Sequence, residues 1–383
     1  MSRDRGWVYR NPVHVVFGAG CVNELSQFVQ GRVLVVTTPG GTRRGTTARV
    51  LAELQPGATL VYDRVESNPT LDAVSRAIED LRRERVDTVV GIGGGSAMDI
   101  AKVLSLALAE PAFDVNAAVE SGHPYSATEP LPVVEIPTTA GTGSEVTPFA
   151  TVWDARLKRK LSIGTPKLFA KVALVDPGLT LSLPWQATLG PGLDAYAQCF
   201  EAIWNRNATP PTTALARRGL TLVPSALRAV RRDPSAMDAR TDLAEAALLS
   251  GMAISQTRTA LVHSMSYPLT AHFGIPHGLA CAMVLPAVVA FNLEAEGGGL
   301  ATAVGDAGLG EGQAIASRVA SLLRELGVPE AVAAYLPEGL DLATLAEEML
   351  TPERADNNVR EANVGAVREI LDSTSSWLGG AAL

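Results

Sequence analysis

The first 180 residues alternate short β-branched runs with longer segments of helical periodicity. Five runs end in turn-forming residues: RVLVVTT (32–38), TLVYDRV (59–65), DTVVGIGGG (87–95), PVVEIPTT (132–139) and KVALVDP (171–177). Helical patterns such as TLDAVSRAIEDLRRE (70–84) and SAMDIAKVLSLALAE (96–110) lie between several of them. This alternation predicts an α/β domain with a mostly parallel sheet covered by helices.

The pattern changes after residue 180, where segments rich in Ala and Leu replace the β-branched runs. Examples are PTTALARRGLTLVPSALRAVRR (211–232) and RTDLAEAALLSGMAISQTRTALVHSMS (240–266). Such segments predict helices. Turn formers in DPGLTLSLP (176–184) mark the boundary. We therefore predict an α/β domain over 1–180 and an all-α domain over 181–383.

Composition narrows the functional classes. The chain is 47% hydrophobic and 19% charged, and its net charge of −8 disfavours a nucleic-acid surface. The sequence contains no run of eighteen apolar residues, so we predict no membrane span. The segment MSRDRGWVYRNP at the start lacks the apolar core of a signal peptide. We expect a cytoplasmic protein. The three cysteines show no CxxC spacing, so each is predicted to be a small buried hydrophobe.

Two loops rich in small residues each follow a predicted strand. GIGGGSAMDIAK (91–102) opens a helix, and its glycines suit either a phosphate site or a tight turn. It lacks the G-x-G-x-x-G pattern because Ser96 stands at the last position. IPTTAGTGSEVT (136–147) offers hydroxyls that suit ribose or phosphate, or else a turn network. Because ligands bind at the carboxyl ends of strands in open α/β sheets, the two loops together favour a dinucleotide.

The helical half contains a candidate metal site. In GPGLDAYAQCFEAIWNRNA (190–208) we predict a helix after Gly-Pro-Gly, on which Asp194 and Gln198 share a face. Asp194 could be a helix cap and Gln198 a surface amide. Alternatively, the two side chains could supply two of the ligands of a metal site. His263, His272 and His277 lie close together in LVHSMSYPLTAHFGIPHGLACAMVLP (261–286). A single histidine is more often structural, but the cluster favours ligands.

Six motifs, in order, resemble the iron-containing (group III) alcohol dehydrogenase family: GIGGGSAMDIAK, IPTTAGTGSEVT, ALVDP, GLDAYAQCFEA, LVHSMSYPL and GIPHGLACAMVLP. The resemblance covers essentially the whole chain. It implies a nucleotide-binding α/β domain, a helical domain, NAD(P)H, one divalent metal (Fe²⁺ or Zn²⁺) and a homodimer. It also implies a reaction in which the metal polarises a carbonyl and the nicotinamide transfers a hydride.

The resemblance assigns roles by position. The metal ligands fall on Asp194, Gln198, His263 and His277. The cofactor-binding positions fall on Asn68, Gly94, Gly95, Ser96, Asp99, Thr138, Thr139, Thr142 and Lys160.

The chain departs from the family pattern twice. Gln198 replaces the usual histidine ligand, and because an amide oxygen binds divalent cations more weakly, we expect the metal to be kept with lower affinity. Tyr267 replaces a histidine proposed to relay a proton. Tyr267, His272 or bound water then remain as routes for the proton.

Within the family, FEAIWNRNATP, TRTALVHSMSYPLTAHFGIPHG and VTTPGGTRRG resemble the branch that reduces phosphonoacetaldehyde to 2-hydroxyethylphosphonate in phosphonate biosynthesis. A small anionic aldehyde needs a cation near the metal. We expect Arg258 to approach it from the helix of His263, although a surface arginine is the plain alternative; Asn205 is a lesser candidate. Arg43 and Arg44, with no acid at the end of the second strand, favour acceptance of NADPH.

The sequence leaves other functions open. Sulfoacetaldehyde reductases and general primary-alcohol or aldehyde reductases belong to the same family. Asp194 disfavours the maleylacetate branch, which usually has Asn there. More distant alternatives are a lyase similar to dehydroquinate synthase and a metal-free, non-catalytic homologue.

Overall fold

The computed structural model describes residues 6–121, 129–295, 301, 304–310, 312 and 314–379. These residues form two compact units. One unit is Asn11–Leu183. The other contains the described residues before Asn11 together with those from Pro184 onwards.

The first unit is built on a parallel sheet. The strands, in chain order, are β1 (His14–Phe17), β2 (Val33–Thr37), β3 (Thr59–Tyr62), β4 (Thr88–Gly93), β5 (Val133–Pro137), β6 (Phe149–Asp154), β7 (Arg159–Gly164) and β8 (Val172–Val175). Six of them form a sheet in the order β1-β8-β5-β4-β2-β3, and every pair in it is parallel. β6 and β7 form a separate antiparallel hairpin. The predicted α/β class is confirmed.

Helices cover this sheet on both faces. They are α1 (Pro39–Arg43), α2 (Thr46–Leu51), α3 (Leu71–Leu81), α4 (Gly95–Ala109) and α5 (Val115–Ser121). The central strands β2, β4, β5 and β8 are buried at every residue, as continuous apolar runs between two helical layers require. α3 begins where the Thr70 hydroxyl accepts a hydrogen bond from the Ala73 N–H, which satisfies a free donor of the first turn.

The second unit is helical, as predicted. Its helices are α6 (Trp185–Trp204), α7 (Pro210–Arg232), α8 (Met237–Thr257), α9 (Leu261–Phe273), α10 (His277–Ala295), α11 (Ala314–Glu325), α12 (Val328–Ala333), α13 (Pro352–Ala355) and α14 (Val364–Leu378). α6 is the central element: it packs against α7, α8 and α10, and nearly all of its residues are buried.

The predicted start of α6 is wrong. The helix begins at Trp185 and continues through Gly190, Pro191 and Gly192 instead of starting after them. Pro191 has no N–H to donate to the preceding turn, but the buried Leu189 and Leu193 on either side keep this segment packed as helix. The loss of one backbone hydrogen bond is therefore outweighed by apolar burial.

α10 is long and apolar enough, over His277–Glu294, to span a membrane by length and composition alone. In the structure 78% of this 18-residue window is buried within the protein. Its apolar character is therefore that of a core helix, surrounded by α6, α9, α11 and α14.

A buried carboxyl group lies in the middle of the parallel sheet. Glu135 of β5 is fully buried, and neither of its carboxylate oxygens has a hydrogen-bond partner among the described residues. A Cβ at Gly91 of the neighbouring β4 would overlap this carboxylate, so the glycine makes room for it. Burial raises the pKa of Glu135 well above its ordinary value, and the buried Lys102 offsets this only in part.

Glu135→Gln should remove a pH-dependent loss of stability. The unfolded chain ionises Glu135 near pH 4.5 whereas the folded protein keeps it protonated, so the free energy of unfolding falls as pH rises from there towards the folded pKa. The slope is about 1.4 kcal/mol per pH unit for one group. The variant should therefore gain progressively in thermal midpoint over wild type as the pH rises above about 4.5. Glu84→Gln, at an exposed carboxylate, is the control, and a difference that stays constant with pH would contradict the prediction.

Candidate metal centre and cofactor-binding loops

Four side chains of the helical unit converge on one point. They are Asp194 of α6, His263 of α9, and His277 and Cys281 of α10. One ligand atom from each lies within 4.8 Å of the other three, and all but the half-buried His277 are buried. The structure thus brings together three of the predicted ligands and adds a thiol that was predicted to be only a buried hydrophobe. Carboxylate, imidazole and sulfur are donors that suit Fe²⁺ or Zn²⁺.

Glu201 fixes the orientation of His263. Its Oε2 lies 2.6 Å from Nδ1 of the imidazole, and its Oε1 accepts a hydrogen bond from the backbone N–H of the same histidine at 3.1 Å. Nε2 is thereby turned to Oδ1 of Asp194, at 3.1 Å. A carboxylate behind a ligating histidine is the usual support of a metal site, since it sets the ring orientation and the tautomer.

The electrostatics of the cluster favour a cation. Burial alone lowers the pKa of His263, but Cys281, Glu201 and Asp194 together raise it well above the ordinary value. Surroundings that stabilise a protonated imidazole at this buried position also stabilise a bound cation there. Together with the donor set, this fits a divalent cation.

A close contact between two helices positions the ligands. At Gly278, the second residue of α10, an added Cβ would overlap the backbone carbonyl of Gly190 in α6 and lie 3.2 Å from the Asp194 nitrogen. Glycine alone permits this approach, which places His277 beside Asp194. The ring of His277 is 5.3 Å, centroid to centroid, from that of His263.

Gln198, the predicted ligand on α6, is buried and held by α8. Its Oε1 accepts a hydrogen bond from the Ser250 hydroxyl at 2.8 Å. The amide oxygen that the sequence assigned to the metal therefore already has a protein partner.

The two predicted proton carriers occupy different surroundings. The ring of Tyr267 stacks on that of His277, with centroids 5.8 Å apart and an interplanar angle of 27°. His272, at the last turn of α9, pairs with the exposed Glu348, at 2.8 Å from Nε2 to Oε2. Tyr267 is therefore in direct contact with a member of the metal cluster, whereas His272 is paired with a carboxylate outside the cluster.

The expectation that Arg258 shares a helix with His263 is wrong. α8 ends at Thr257, and Arg258 follows it with a φ of 62°, so that His263 belongs to a new helix. The Arg258 side chain is 49% exposed and lies 3.8 Å from Glu353. Asn205 is 2% exposed; it donates to the Arg258 carbonyl and accepts from the Asn207 N–H. These contacts give Asn205 a structural task instead of the predicted substrate contact.

Arg354 of α13 completes this side of the site and was not predicted. Burial lowers the pKa of its guanidinium, but Tyr267, to which it hydrogen-bonds, and the carboxylates of Glu353 and Glu201 raise that pKa above the ordinary value. The side chain is 14% exposed, and its Nη1 lies 3.8 Å from the same Glu353 oxygen that Arg258 approaches. Two guanidinium groups thus flank one carboxylate next to Tyr267.

In the α/β unit, the glycine loop joins β4 to α4. Gly94 caps the helix and Gly95 is its first residue, so that free backbone N–H groups of the first turn lie in this loop. A Cβ on Gly94 would lie 3.1 Å from the Thr139 hydroxyl, and one on Gly95 would lie 2.7 Å from the Thr142 methyl. The two predicted loops therefore pack against each other, and their small residues leave backbone N–H groups open to a pyrophosphate.

The remaining predicted cofactor positions surround these loops. The Ser96 hydroxyl accepts a hydrogen bond from the Asn68 N–H, where Asn68 has a φ of 53°. The buried Thr138 donates its N–H to the Gly93 carbonyl at 2.8 Å, which fixes the second loop to the end of β4. Lys160 lies on β7, opposite Trp153 of β6.

Asp99 has a structural set of partners. One carboxylate oxygen accepts from the Ser144 hydroxyl at 2.6 Å, and the other accepts from the Thr151 N–H of β6 at 2.8 Å. Because both oxygens are engaged by the protein, Asp99 fastens the loops and the hairpin instead of presenting a free carboxylate to a cofactor.

Three residues of the site were not predicted, and the sequence carried signals for two of them, Glu201 and Cys281, but not for Arg354. Glu201 follows Asp194 by seven positions and Cys281 follows His277 by four, and both spacings return to the same helix face. Arg354 lies 87 positions after Tyr267, and no local pattern connects them.

Gly278→Ala should destroy the metal centre, because the added methyl group must separate α10 from α6. We expect a loss of about 1–3 kcal/mol in stability from overpacking, together with a loss of bound metal. Metal content after dialysis and the thermal midpoint measure both effects. Gly190→Ala is a matched control, since a Cβ there meets nothing within 4 Å. Equal metal content in the two variants would contradict the packing argument.

Glu201→Gln should weaken metal binding without removing a ligand. Loss of the charged partner of His263 should raise the dissociation constant of the metal by about 10- to 100-fold. Competition with a chromophoric chelator gives this constant. Glu245→Gln, which alters a surface pair with Arg218 on α7, should leave it unchanged. An unchanged constant in Glu201→Gln would refute the supporting role.

Comparisons with known proteins agree with this architecture. The family model described as "Iron-containing alcohol dehydrogenase" matches residues 12–177, and that of the "Fe-containing alcohol dehydrogenase family, C-terminal" matches residues 188–375. Phosphonoacetaldehyde reductase of Streptomyces viridochromogenes is 39% identical over 267 residues, which is 68% of this chain and 67% of the relative. 4-Hydroxybutyrate dehydrogenase of Cupriavidus necator is 32% identical over 95% of this chain and 90% of its own.

A solved structure is similar over nearly the whole length. Sulfoacetaldehyde reductase of Bifidobacterium kashiwanohense, in complex with NAD⁺, has a TM-score of 0.87 and is 28% identical, covering 97% of this chain and 99% of its own. With both family models and the metal cluster in place, the chain belongs to the iron-containing alcohol dehydrogenase family, and it is an NAD(P)-linked, metal-dependent oxidoreductase of alcohols and aldehydes.

Proposed function

We propose that this enzyme reduces phosphonoacetaldehyde to 2-hydroxyethylphosphonate with NAD(P)H. Three relatives are named for substrates that carry an anion at the end opposite the reacting group: phosphonoacetaldehyde, sulfoacetaldehyde and 4-hydroxybutyrate. The first of these is 39% identical to this chain. A short anionic aldehyde is therefore the substrate class that we assign to this enzyme.

The observation that supports the proposal is the pair of guanidinium groups around Glu353. Nη1 of Arg258 and Nη1 of Arg354 each lie 3.8 Å from Oε2 of Glu353, which is itself 76% exposed. Such an exposed carboxylate is readily displaced, whereas the two guanidinium groups match the oxygens of a phosphonate. Through Tyr267, Arg354 is connected to the ring of His277.

Each part of the site then has a chemical task. When bound, the divalent cation supplies Lewis-acid polarisation of the aldehyde oxygen and the nicotinamide supplies the hydride. Asp194, His263 and His277 hold the cation, and Glu201 keeps His263 in the ligating orientation. Tyr267 is near enough to the metal cluster to deliver the proton from its hydroxyl, because its ring stacks on that of His277.

We also propose that the enzyme accepts NADPH. β2 is followed by Thr38 and the short helix α1, and neither of these contributes an acidic side chain to bind a ribose 2′-hydroxyl. Arg43 and Arg44, at the end of α1, are exposed and offer positive charge for a 2′-phosphate. The homodimer and the cytoplasmic location stay predictions.

Arg354→Ala should impair reduction of anionic aldehydes selectively. Loss of a charge-assisted hydrogen bond removes about 1.5–3 kcal/mol, so kcat/KM for phosphonoacetaldehyde should fall by about 10- to 100-fold, mainly through KM. For propanal the change should be less than about threefold, since no anion is bound. Arg258→Ala should show the same selectivity more weakly, because its side chain is more exposed.

Arg232→Ala, at an exposed position of α7, is the matched control and should affect neither substrate. If wild type reduces propanal as well as phosphonoacetaldehyde, the general-reductase alternative replaces the proposal. If wild type prefers sulfoacetaldehyde, the proposed substrate is replaced by sulfoacetaldehyde. Equal losses for charged and neutral aldehydes in Arg354→Ala would make that residue structural.

A further inference from the structure

The cluster of ligand atoms has a different membership from the one that the family resemblance assigns. The resemblance places the second ligand of α6 at Gln198, whereas the atoms that converge in the structure include the thiol of Cys281. Cys281 is fully buried and lies one helical turn after His277, so both side chains leave the same face of α10.

We propose that Cys281 is a metal ligand in this enzyme, so that Asp194, His263, His277 and Cys281 form the centre while Gln198 stays outside it. The inference concerns the metal site on which the proposed function depends, but it does not depend on which aldehyde is reduced.

The spacing of the four atoms suits a tetrahedral ion. With bonds of about 2.0–2.3 Å, neighbouring ligands of such an ion are about 3.3–3.8 Å apart. The largest separation within the cluster is 4.8 Å or less, and the Asp194–His263 pair is already at 3.1 Å. Movements of about one ångström or less, which buried side chains make by small rotamer adjustments, therefore complete the coordination.

The chemistry of the two competing donors favours sulfur. A neutral amide oxygen is a weak, hard donor, and the one in Gln198 accepts a hydrogen bond from Ser250 that metal binding would disturb. A thiolate is a strong, soft donor that favours Zn²⁺. It also contributes a second negative charge beside Asp194, which balances a divalent cation in a buried site.

Cobalt substitution in the full-length enzyme tests the ligand directly, because a thiolate bound to Co²⁺ gives a charge-transfer band in the near ultraviolet that oxygen and nitrogen ligands do not give. The protein is stripped with a chelator and titrated with Co²⁺, and the Zn²⁺ dissociation constant is measured by chelator competition. Wild type and Gln198→Ala should both show the band, with Zn²⁺ constants within about threefold of each other.

Cys281→Ser should lose the band, and its Zn²⁺ dissociation constant should rise by more than about 100-fold. A residue that only supports a ligand is expected to change this constant by about 100-fold at most. Cys199→Ser, at a buried cysteine of α6, is the matched control and should keep both properties. Retention of the band in Cys281→Ser, or a loss of Zn²⁺ affinity in Gln198→Ala of the size expected for Cys281, would overturn the proposal.

A second variant keeps the test decisive if Cys281→Ser does not fold. The chain has three cysteines, so Cys21→Ser combined with Cys199→Ser leaves Cys281 alone. The cobalt band should persist in this double variant, and its absence would refute the proposal. Because the readout is absorption and metal affinity, failure to reduce phosphonoacetaldehyde would reject the substrate assignment and leave the ligand assignment standing.

Discussion

The backbone contact between Gly278 of α10 and Gly190 of α6 is the constraint on which the metal centre depends. α6 carries Asp194 and Glu201, and α10 carries His277 and Cys281. With any side chain at position 278 the two helix axes would have to separate, and the ligands of α10 would withdraw from Asp194. Glu201 adds a second connection, because it fastens His263 of α9 through both its ring and its backbone. Three helices are thereby fixed around one point before any cation binds.

A different device holds the loops of the α/β unit. The ammonium group of Lys102 is fully buried and donates to the Ser144 carbonyl and hydroxyl and to the carbonyls of Thr147 and Phe149, at 2.6–3.0 Å. Lysine inside a core is costly unless it is paired in this way. Four acceptors compensate for the lost water: those of Ser144 and Thr147 belong to the second loop, and that of Phe149 begins β6 just after it. The hydrogen bonds of Lys102 therefore hold the end of the second loop in one conformation next to the glycine loop.

The sequence predicted five of the six strands of the parallel sheet as β-branched runs and missed only β1, which has just four residues, HVVF, and is a partly exposed edge strand. The separate hairpin was missed as well, because its second strand, β7, reads RKLSIG and gave no apolar run. The break between α8 and α9 was missed because it occurs at Arg258, with neither Gly nor Pro to mark it. Asp194, His263 and His277 could be found from spacing and resemblance. Arg354 could not, since tertiary packing alone brings it to Tyr267.

The cysteine was overlooked for a related reason: considered singly, a buried Cys is a small hydrophobe, and only its position relative to His277 gives it another meaning. If the ligand has moved from position 198 to position 281, α10 supplies two of the four donors and α6 only one. A single rigid helix then sets two ligand positions together, and its register is fixed by Gly278. The centre becomes less dependent on the side-chain conformations of α6 and more dependent on the distance between two helix backbones. Gln198 is released for its hydrogen bond with Ser250, which ties α6 to α8.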